Sequence, residues 1–404
     1  MEDNVARGPL TGLVVTDCST VLAGPYCSMM LGDLGADVVK VEPMEGDPTS
    51  GWGPPWVTAS DGRQVAAYYL AINRNKRSLR LDLRQPDGAE VLRRLLARSD
   101  VLIENFRPGG FERLGFDQAA LQALNPRLIH LAVTGYGPDG PDAAKPGYDF
   151  VAQAVGGLMS ITGFPDDEGG RPTKVGVAIS DIATGLFGAI SVLAALRSGK
   201  GQRIDVSLLE STLALLINQA QNAFTSGQSP GRRGNAHPNI VPYETFVTAD
   251  DTEIVVAAAS ERQWLRLCQA IDLPRLASDP RFADNGARVR HRLELRPLLA
   301  ERLADLPAAE WLARLEAAEV PCGPVHDILA AFAQPQSLAR QMLVSVEHPQ
   351  LGTIQQAGLP FKLSATPAAI VRPPPLPGQH TDELLDELEY GEDAIAQLRA
   401  QGIV

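Results

Sequence analysis

The sequence predicts an α/β protein whose larger part is an open parallel β-sheet covered by helices on both faces. Three observations carry this. Residues 12–42 read as strand, helix and strand in about 30 residues, the length of a right-handed crossover between parallel strands. The same alternation continues to residue 133. The chain has 404 residues, 45% hydrophobic and 21% charged, enough apolar material for two or three domains of roughly 100–200 residues each.

The elements follow in order. Residues 12–17, Gly-Leu-Val-Val-Thr-Asp, form a short buried strand. Ala23-Gly24-Pro25 opens a helix that runs to about Gly35, since proline suits a first turn whose N–H groups lack partners. Residues 37–42 are a second strand, and a Gly/Pro/Trp-rich loop covers residues 43–60. Strands are expected at 78–83, 101–106 and 128–133, with helices near 88–98 and 118–124 between them. A Gly/Pro/Asp loop at 134–147 precedes two apolar stretches, 150–162 and 182–197, the second with a polar start at Ser180-Asp181. Residues 203–206 are strand-like and 207–225 read as one long helix.

Composition shifts at residues 226–234, Ser-Gly-Gln-Ser-Pro-Gly-Arg-Arg-Gly, a linker signature. Beyond it, 243–247 and 253–258 flank Asp250-Asp251 as a hairpin, and 261–332 is rich in helix. Another hairpin is expected within 343–363, and a last amphipathic helix at 381–401. The domain reading is therefore residues 1–225 as a large α/β domain, 226–335 as a smaller α+β domain, and 336–404 as a C-terminal segment.

Lys and Arg total 36 against 48 Asp and Glu, a net charge of −12. Such a chain lacks the positive field needed for non-specific binding of nucleic acid or an anionic membrane. No run of about 18 apolar residues stands out, so no transmembrane helix is expected. The acidic opening Met1-Glu2-Asp3-Asn4 lacks the apolar stretch of a secretory leader. Cys18, Cys27, Cys268 and Cys322 contain no CxxC pair and read as reduced thiols of a cytoplasmic protein. Six histidines without an HxxxH or HxH pair give no expectation of a metal site.

The nucleophile elbow GxSxG, the P-loop and GxGxxG are all missing. Asp181 is the acid of most interest. Set among small and apolar residues at a helix start, it reads either as a desolvated carboxylate able to attack an acyl group or as a plain N-cap. The basic run Asn73-Arg74-Asn75-Lys76-Arg77-Ser78 reads as a phosphate contact or a solvated turn. Residues 104–110, Glu-Asn-Phe-Arg-Pro-Gly-Gly, follow a strand end where open sheets bind ligands, and could equally be a connecting loop. Tyr148 caps a site or packs, and His237 is an acid/base candidate or a loop histidine.

Taken together, several segments resemble the class III coenzyme A transferases, the family of formyl-CoA transferase, carnitine-CoA transferase and α-methylacyl-CoA racemase. The segments are Val21-Leu-Ala-Gly-Pro25, Leu34-Gly-Ala-Asp-Val-Val-Lys-Val-Glu42, Asn75-Lys-Arg-Ser78, Glu104-Asn-Phe-Arg-Pro-Gly109, Gly147-Tyr-Asp149, Ser180-Asp181 and Gly201-Gln202. The resemblance implies a Rossmann-like large domain built from N- and C-terminal segments, a smaller domain, and an interlocked homodimer. It makes Asp181 the catalytic carboxylate, which would form an acyl-aspartyl anhydride and then an aspartyl-CoA thioester. By motif, coenzyme A contacts fall on Leu22, Ala23, Leu81, Asp82, Leu83, Arg84, Asn105, Phe106, Arg107, Arg113, Lys145 and Tyr148, with Arg84, Arg113 and Lys145 supplying charge for phosphates.

Two departures narrow the expectation. Residues 257–263 lack the glycine run of formyl-CoA transferase. Tyr148 also stands where the racemase branch has a histidine; abstraction at an α-carbon needs a base on each face, so transfer is favoured over racemisation. Residues 234–243, 262–264 and 372–380 look most like the succinyl-CoA–glutarate branch. The implied substrates are an acyl-CoA, with succinyl-CoA as donor, and a dicarboxylate, whose second carboxylate is assigned to Arg232, Arg233 and His237. No tightly bound cofactor and no metal is implied. The alternatives are a racemase or epimerase, and a non-catalytic acyl-CoA-binding protein.

Overall fold

The structure, a computed structural model, describes residues 8–404. Six parallel strands form the main sheet: β1 (Val14–Asp17), β2 (Asp37–Glu42), β3 (Lys76–Arg80), β4 (Val101–Glu104), β5 (Ile129–Thr134) and β6 (Gln202–Ser207). Their order is β3-β2-β1-β4-β5-β6. Val15 pairs with Val38 on one side and Val101 on the other, so the direction of winding reverses between β1 and β4. In such sheets the two loops leaving that point diverge and open a crevice at the C-terminal strand ends.

Both faces of the sheet are covered, which is why its strands are apolar at successive positions. On one face Val15, Val38, Val101, Ile103 and Leu131 pack with α1 (Ala23–Asp33) and α5 (Ile179–Ser198). On the other, Val39, Val41, Leu79 and Leu102 pack with α2 (Pro86–Ala97), α3 (Gln118–Leu124) and the C-terminal helices α8 (Thr381–Glu387) and α9 (Glu392–Ala400). Among the described residues, α5 alone has the length and apolarity of a membrane span, with mean hydropathy 1.8, which the sequence reading did not anticipate. Its Ala183, Gly185, Gly188, Ala189 and Val192 are buried in this unit, while Leu186, Phe187 and Ile190 are exposed.

The described chain divides into two compact units. The first comprises residues 8–158, 175–220 and 335–404, and the second 159–174 and 221–334. The sequence reading places 159–174 with the large domain, whereas the structure groups it with the second unit. That second unit holds an antiparallel sheet of Tyr243–Val247, Glu253–Ala257 and Cys322–Pro324, packed on helices around the fully buried Trp264 and Trp311.

Two expected long helices are each divided. Residues 207–225 form α6 (Leu208–Ala214) and α7 (Ile217–Ser226), separated at Leu215 and Leu216, with Ile217 starting α7 at φ of 33°. The C-terminal helix breaks into α8 and α9 at Glu389, with φ of 66°. A small hairpin, Trp56–Thr58 with Gln64–Ala66, spans the end of the expected 43–60 loop and the residues after it.

Both readings of the Asn73–Ser78 basic run are corrected. Arg74, Lys76 and Arg77 are buried and held by protein partners. Arg74 grips Asp33 through Nε and Nη2, at 2.9 and 2.8 Å. Lys76 Nζ donates to Asp17 at 3.1 Å, to Asn73 at 3.0 Å and to the Pro25 carbonyl at 2.8 Å. Arg77 pairs with Asp37, Glu383 and Glu387, tying β3 to α8. Lys40 completes the set, 2.8 Å from Asp47 and 3.0 Å from the Ser19 carbonyl. Burial, only partly offset by Asp17, pulls the Lys76 ammonium down to about 8, while Asp47 and Asp17 overcome burial at Lys40 and hold its ammonium above the usual range.

Removing one partner of a buried pair strands the other charge, which costs about 3–5 kcal/mol, while an exposed pair contributes about 0–1 kcal/mol. Asp17→Asn is therefore expected to lower the urea unfolding free energy by about 3–5 kcal/mol. Asp61→Asn, which removes the charge from the exposed pair with Arg63, should leave it nearly unchanged.

Candidate active site

Asp181 occupies the third position of α5. The N-cap is Ala178, which has no side-chain oxygen, so the reading of Asp181 as an N-cap does not hold. Its carboxylate instead lines a cavity of about 210 Å³ at the sheet's reversal point. The loop after β1 (Thr20, Val21, Leu22, Ala23), the loop after β4 (Asn105, Phe106, Arg107), the end of β5 (Val133, Thr134), and Lys145 and Tyr148 complete the walls. Burial, and then the nearby Asp149, push the Asp181 carboxyl up to about 7. No cation is among the causes.

Close backbone contacts make this placement possible. A Cβ on Gly185 would lie 2.7 Å from the Ala23 carbonyl oxygen, so only glycine lets α5 seat against the start of α1. Gly135 and Gly147 cross with their backbones in contact: a Cβ on either would fall 2.5 or 2.2 Å from the other's Cα. That crossing closes the 134–147 loop and delivers Tyr148 to the cavity. Asn105 then ties the two diverging loops together, accepting from Thr20 N–H at 3.0 Å and donating to its carbonyl at 2.8 Å.

A second cavity, of about 490 Å³, shares Thr20, Asn105 and Phe106 with the first. Leu81, Asp82, Leu83, Arg84 and Arg113 line it, with Cys18, Glu42 and Met44. Asp181 and all twelve residues expected to contact coenzyme A thus line two adjoining cavities of one unit.

Arg232, Arg233 and His237 belong to the second unit. Arg232 is ion-paired with Asp166. Arg233 lines a cavity of about 320 Å³ with Arg292 and Arg296 and has no carboxylate partner among the described residues. His237 Nδ1 accepts from the Asn239 N–H at 3.1 Å, and its ring tilts against Tyr243, the arrangement of a loop histidine. Burial, and then Arg292, hold its imidazole below the usual range. Among the described residues, no group of three His, Cys, Asp or Glu side chains is placed to hold a metal ion.

Residues 10–381 match CoA-transferase family III. The chain belongs to that family. It is 44% identical to the succinate–glutarate CoA-transferase of Agrobacterium fabrum, over 95% of this chain and 96% of the relative. It is 40% identical to the succinyl-CoA:glutarate CoA-transferase of Homo sapiens, over 98% of this chain and 90% of the relative. Among solved structures, a CAIB/BAIF family protein from Brucella suis superposes with a TM-score of 0.83 at 41% identity, covering 95% of this chain and all of that one.

The protein is thus a CoA-transferase, an enzyme whose substrates are coenzyme A thioesters. Its cations divide into two groups. Arg84 is bound to Asp82 at 2.7 Å and Lys145 to Asp142 at 2.7 Å, both cations being exposed. Arg107 and Arg113, by contrast, have no carboxylate partner among the described residues, and each faces a cavity. Sequence reasoning missed Tyr68, whose hydroxyl is pushed up to about 12 by burial and then by the charges of Asp181, Asp149 and Asp47. It also passed over Asp149, whose charge adds to burial at Asp181. The adjacency Tyr148-Asp149 was the only available signal for the latter; nothing in the sequence joins Tyr68 to Asp181.

The raised Asp181 carboxyl has a stability consequence. Its folded form holds a proton over a pH range where the unfolded form has released it, so stability falls as pH rises from about 4 to about 7. The neutral variant Asp181→Asn should therefore be more stable than the wild type at pH 8, by on the order of 1–3 kcal/mol, and should lose that advantage near pH 4. Thermal unfolding across that range measures it.

Proposed function

We propose that this enzyme moves coenzyme A from succinyl-CoA to a dicarboxylic acid of glutarate's type through covalent intermediates on Asp181. The observation that carries the reading is a carboxylate facing a cavity at the sheet's reversal point with no cation to neutralise it. A carboxylate so placed is more basic than one in water, and hence a better nucleophile toward a thioester carbonyl.

The Asp181 Oδ attacks the succinyl carbonyl, an acyl-aspartyl anhydride forms, and the C–S bond breaks to release coenzyme A thiolate. The thiolate then attacks the aspartyl carbonyl of the anhydride, giving an aspartyl-CoA thioester and free succinate. The acceptor carboxylate attacks that thioester, and the returning thiolate takes the acceptor's acyl group, leaving new acyl-CoA and the Asp181 carboxylate. One thioester replaces another, so no external energy source enters. The first turns of α1, α5 and α6 border the first cavity with Ala23, Asp181 and Leu208, and their N–H groups and dipoles favour the oxyanions of these steps.

The second, larger cavity suits the nucleotide end of coenzyme A, with Arg113 toward its phosphates, and Thr20, Asn105 and Phe106 flank the path of the pantetheine arm. Arg107 stands on the thioester side. Leu22, Ala23, Leu81, Asp82, Leu83, Arg84, Lys145 and Tyr148 retain their proposed contact roles; binding would first have to draw Arg84 and Lys145 from their acidic neighbours. Of the three residues proposed for the acceptor's second carboxylate, Arg233 is the one whose charge is uncommitted. The relatives named for succinate or succinyl-CoA and glutarate support this substrate choice.

The exposed Leu186, Phe187 and Ile190 on α5, with Phe150 and Val155 on α4 (Asp149–Val155), support an interlocked homodimer. The four free thiols accord with a cytoplasmic location.

Purified enzyme is expected to transfer coenzyme A from succinyl-CoA to glutarate without ATP or added metal. Asp181→Ala should lower kcat more than about 10³-fold, and hydroxylamine should trap an activated Asp181 seen by peptide mass. Full transfer by Asp181→Ala sinks the mechanism. Light scattering is expected to give twice the chain mass, and Ile190→Glu should shift the protein toward the monomer.

A further inference from the structure

We propose that Asp149 and Gln153 form a clamp that positions the Asp181 carboxylate by holding both ends of the segment leading into α5. The inference rests on Asp181 being the nucleophile. The two residues lie four apart on α4, and so on one face of it. Asp149 Oδ2 accepts from Gln153 Nε2 at 2.8 Å. Asp149 Oδ1 accepts from the Ser180 backbone N–H at 2.8 Å, and Gln153 Oε1 accepts from the Val175 N–H at 2.8 Å. Donors and acceptors therefore alternate along one chain: Val175 N–H, the Gln153 amide, the Asp149 carboxylate, Ser180 N–H.

Three features make this more than a pair of loop contacts. Gln153 is fully buried, so no solvent can replace a bond it loses. α5 begins with Ala178 at its N-cap, which supplies no oxygen, and Asp181 faces the cavity; Asp149 thus satisfies from outside an N–H group that the helix start leaves without an intrahelical partner. Val175, finally, is where the chain re-enters the first unit after residues 159–174, six residues before the nucleophile. Without an anchor there, the short stretch 175–178 would carry any motion of that excursion into the first turn of α5.

The residue before Asp181 is fixed at its other groups as well. Thr212 Oγ1 meets Ser180 Oγ at 2.8 Å, and Thr184 Oγ1 donates to the Ser180 carbonyl at 2.7 Å. Asp149 and Gln153 are positioning residues: they act on Asp181 through the backbone. A displacement of about 1 Å at a reacting group can cost about 10²-fold in rate, the scale on which such a clamp would register.

The alternation of donors and acceptors provides the test. Asp149→Asn sets an amide NH₂ against the Gln153 NH₂, and Gln153→Glu sets two carboxylates together. Combined, the two substitutions restore all three bonds, with only the middle one reversed: the new amide still accepts from Ser180 N–H and now donates to the new carboxylate, which still accepts from Val175 N–H. Each single variant should lower kcat for transfer from succinyl-CoA to glutarate about 10- to 100-fold, with KM for succinyl-CoA unchanged within about twofold, and the double variant should return to within about fivefold of wild type.

Losses that multiply in the double variant, or single variants altered in KM alone, overturn the clamp. Should the single variants fail to fold, a folded, active double variant still supports it and a folded, inactive one overturns it. Hydrogen exchange on the wild type adds a measurement free of mutation: slow exchange at the Val175 and Ser180 amides is expected, and exchange at the rate of open loop amides overturns the clamp. Asp181→Asn, assayed alongside, separates the two ideas. If it transfers coenzyme A, the nucleophile assignment falls; if it is inactive and the double variant fails to recover, only the clamp falls.

Discussion

The site depends on one steric concession, the approach of α5 to the first turn of α1. α1 starts directly after β1, so sheet topology alone brings Leu22 and Ala23 to the reversal point. α5 has no such guarantee, because it enters from a long irregular stretch and leads to the edge strand β6. Its Asp181 reaches the crevice because Gly185, one turn further on, presents no side chain to the Ala23 carbonyl. A methyl group there would push the two helix starts apart and open the cavity wall that holds the carboxylate.

Beneath this contact, the buried ionic network fixes the geometry of the β1 loop. Lys40 holds the Ser19 carbonyl, Lys76 holds that of Pro25, and Asp47 and Asp17 neutralise the two ammonium groups. A paired charge in the interior adds little net stability relative to an apolar core, but it penalises every arrangement that separates the partners. The segment Ser19–Pro25, which carries Val21 at a positive φ of 71°, is thereby restricted to one conformation. The electrostatic arrangement is divided accordingly: cations are spent on structural carboxylates in the core, and Asp181 is left without one.

Much of this was legible in the sequence, for reasons that also explain what was not. Strand β2 runs over the residues expected, 37–42, because consecutive apolar positions bounded by turn residues signal a doubly covered strand. The motif residues line the two cavities because most of them lie in loops at strand ends. Arg74, Lys76 and Arg77 were misread because charge in a sequence signals surface, and only the fold supplies Asp33, Asp17 and Asp37 as partners. The break between α6 and α7 lies within Leu-Ala-Leu-Leu-Ile, where no glycine or proline marks it. Arg84 and Lys145 looked free because their partners, Asp82 and Asp142, stand two and three residues away, a spacing at which sequence cannot say whether side chains meet. Tyr68 comes near Asp181 through tertiary structure alone.

The proposed chemistry sets conflicting demands on Asp181, and partial burial answers them. A carboxylate paired with arginine would be fully ionised at neutral pH, but its electrons would be held back from a carbonyl. One sealed in the core would be protonated and out of reach. With its carboxyl pushed up to about 7, the ionised form stays within reach at neutral pH, and that form is more basic than an ordinary aspartate. In the proposed mechanism, the same shortage of water that raises the carboxyl would also slow hydrolysis of an anhydride or thioester formed on it, so nucleophile strength and intermediate lifetime would share one cause. Asp149 joins the two: it contributes charge that raises Asp181, and through Ser180 N–H it holds the turn on which Asp181 stands. In the proposed reading, a single neighbouring carboxylate thus bears on both the electrostatics and the placement of Asp181.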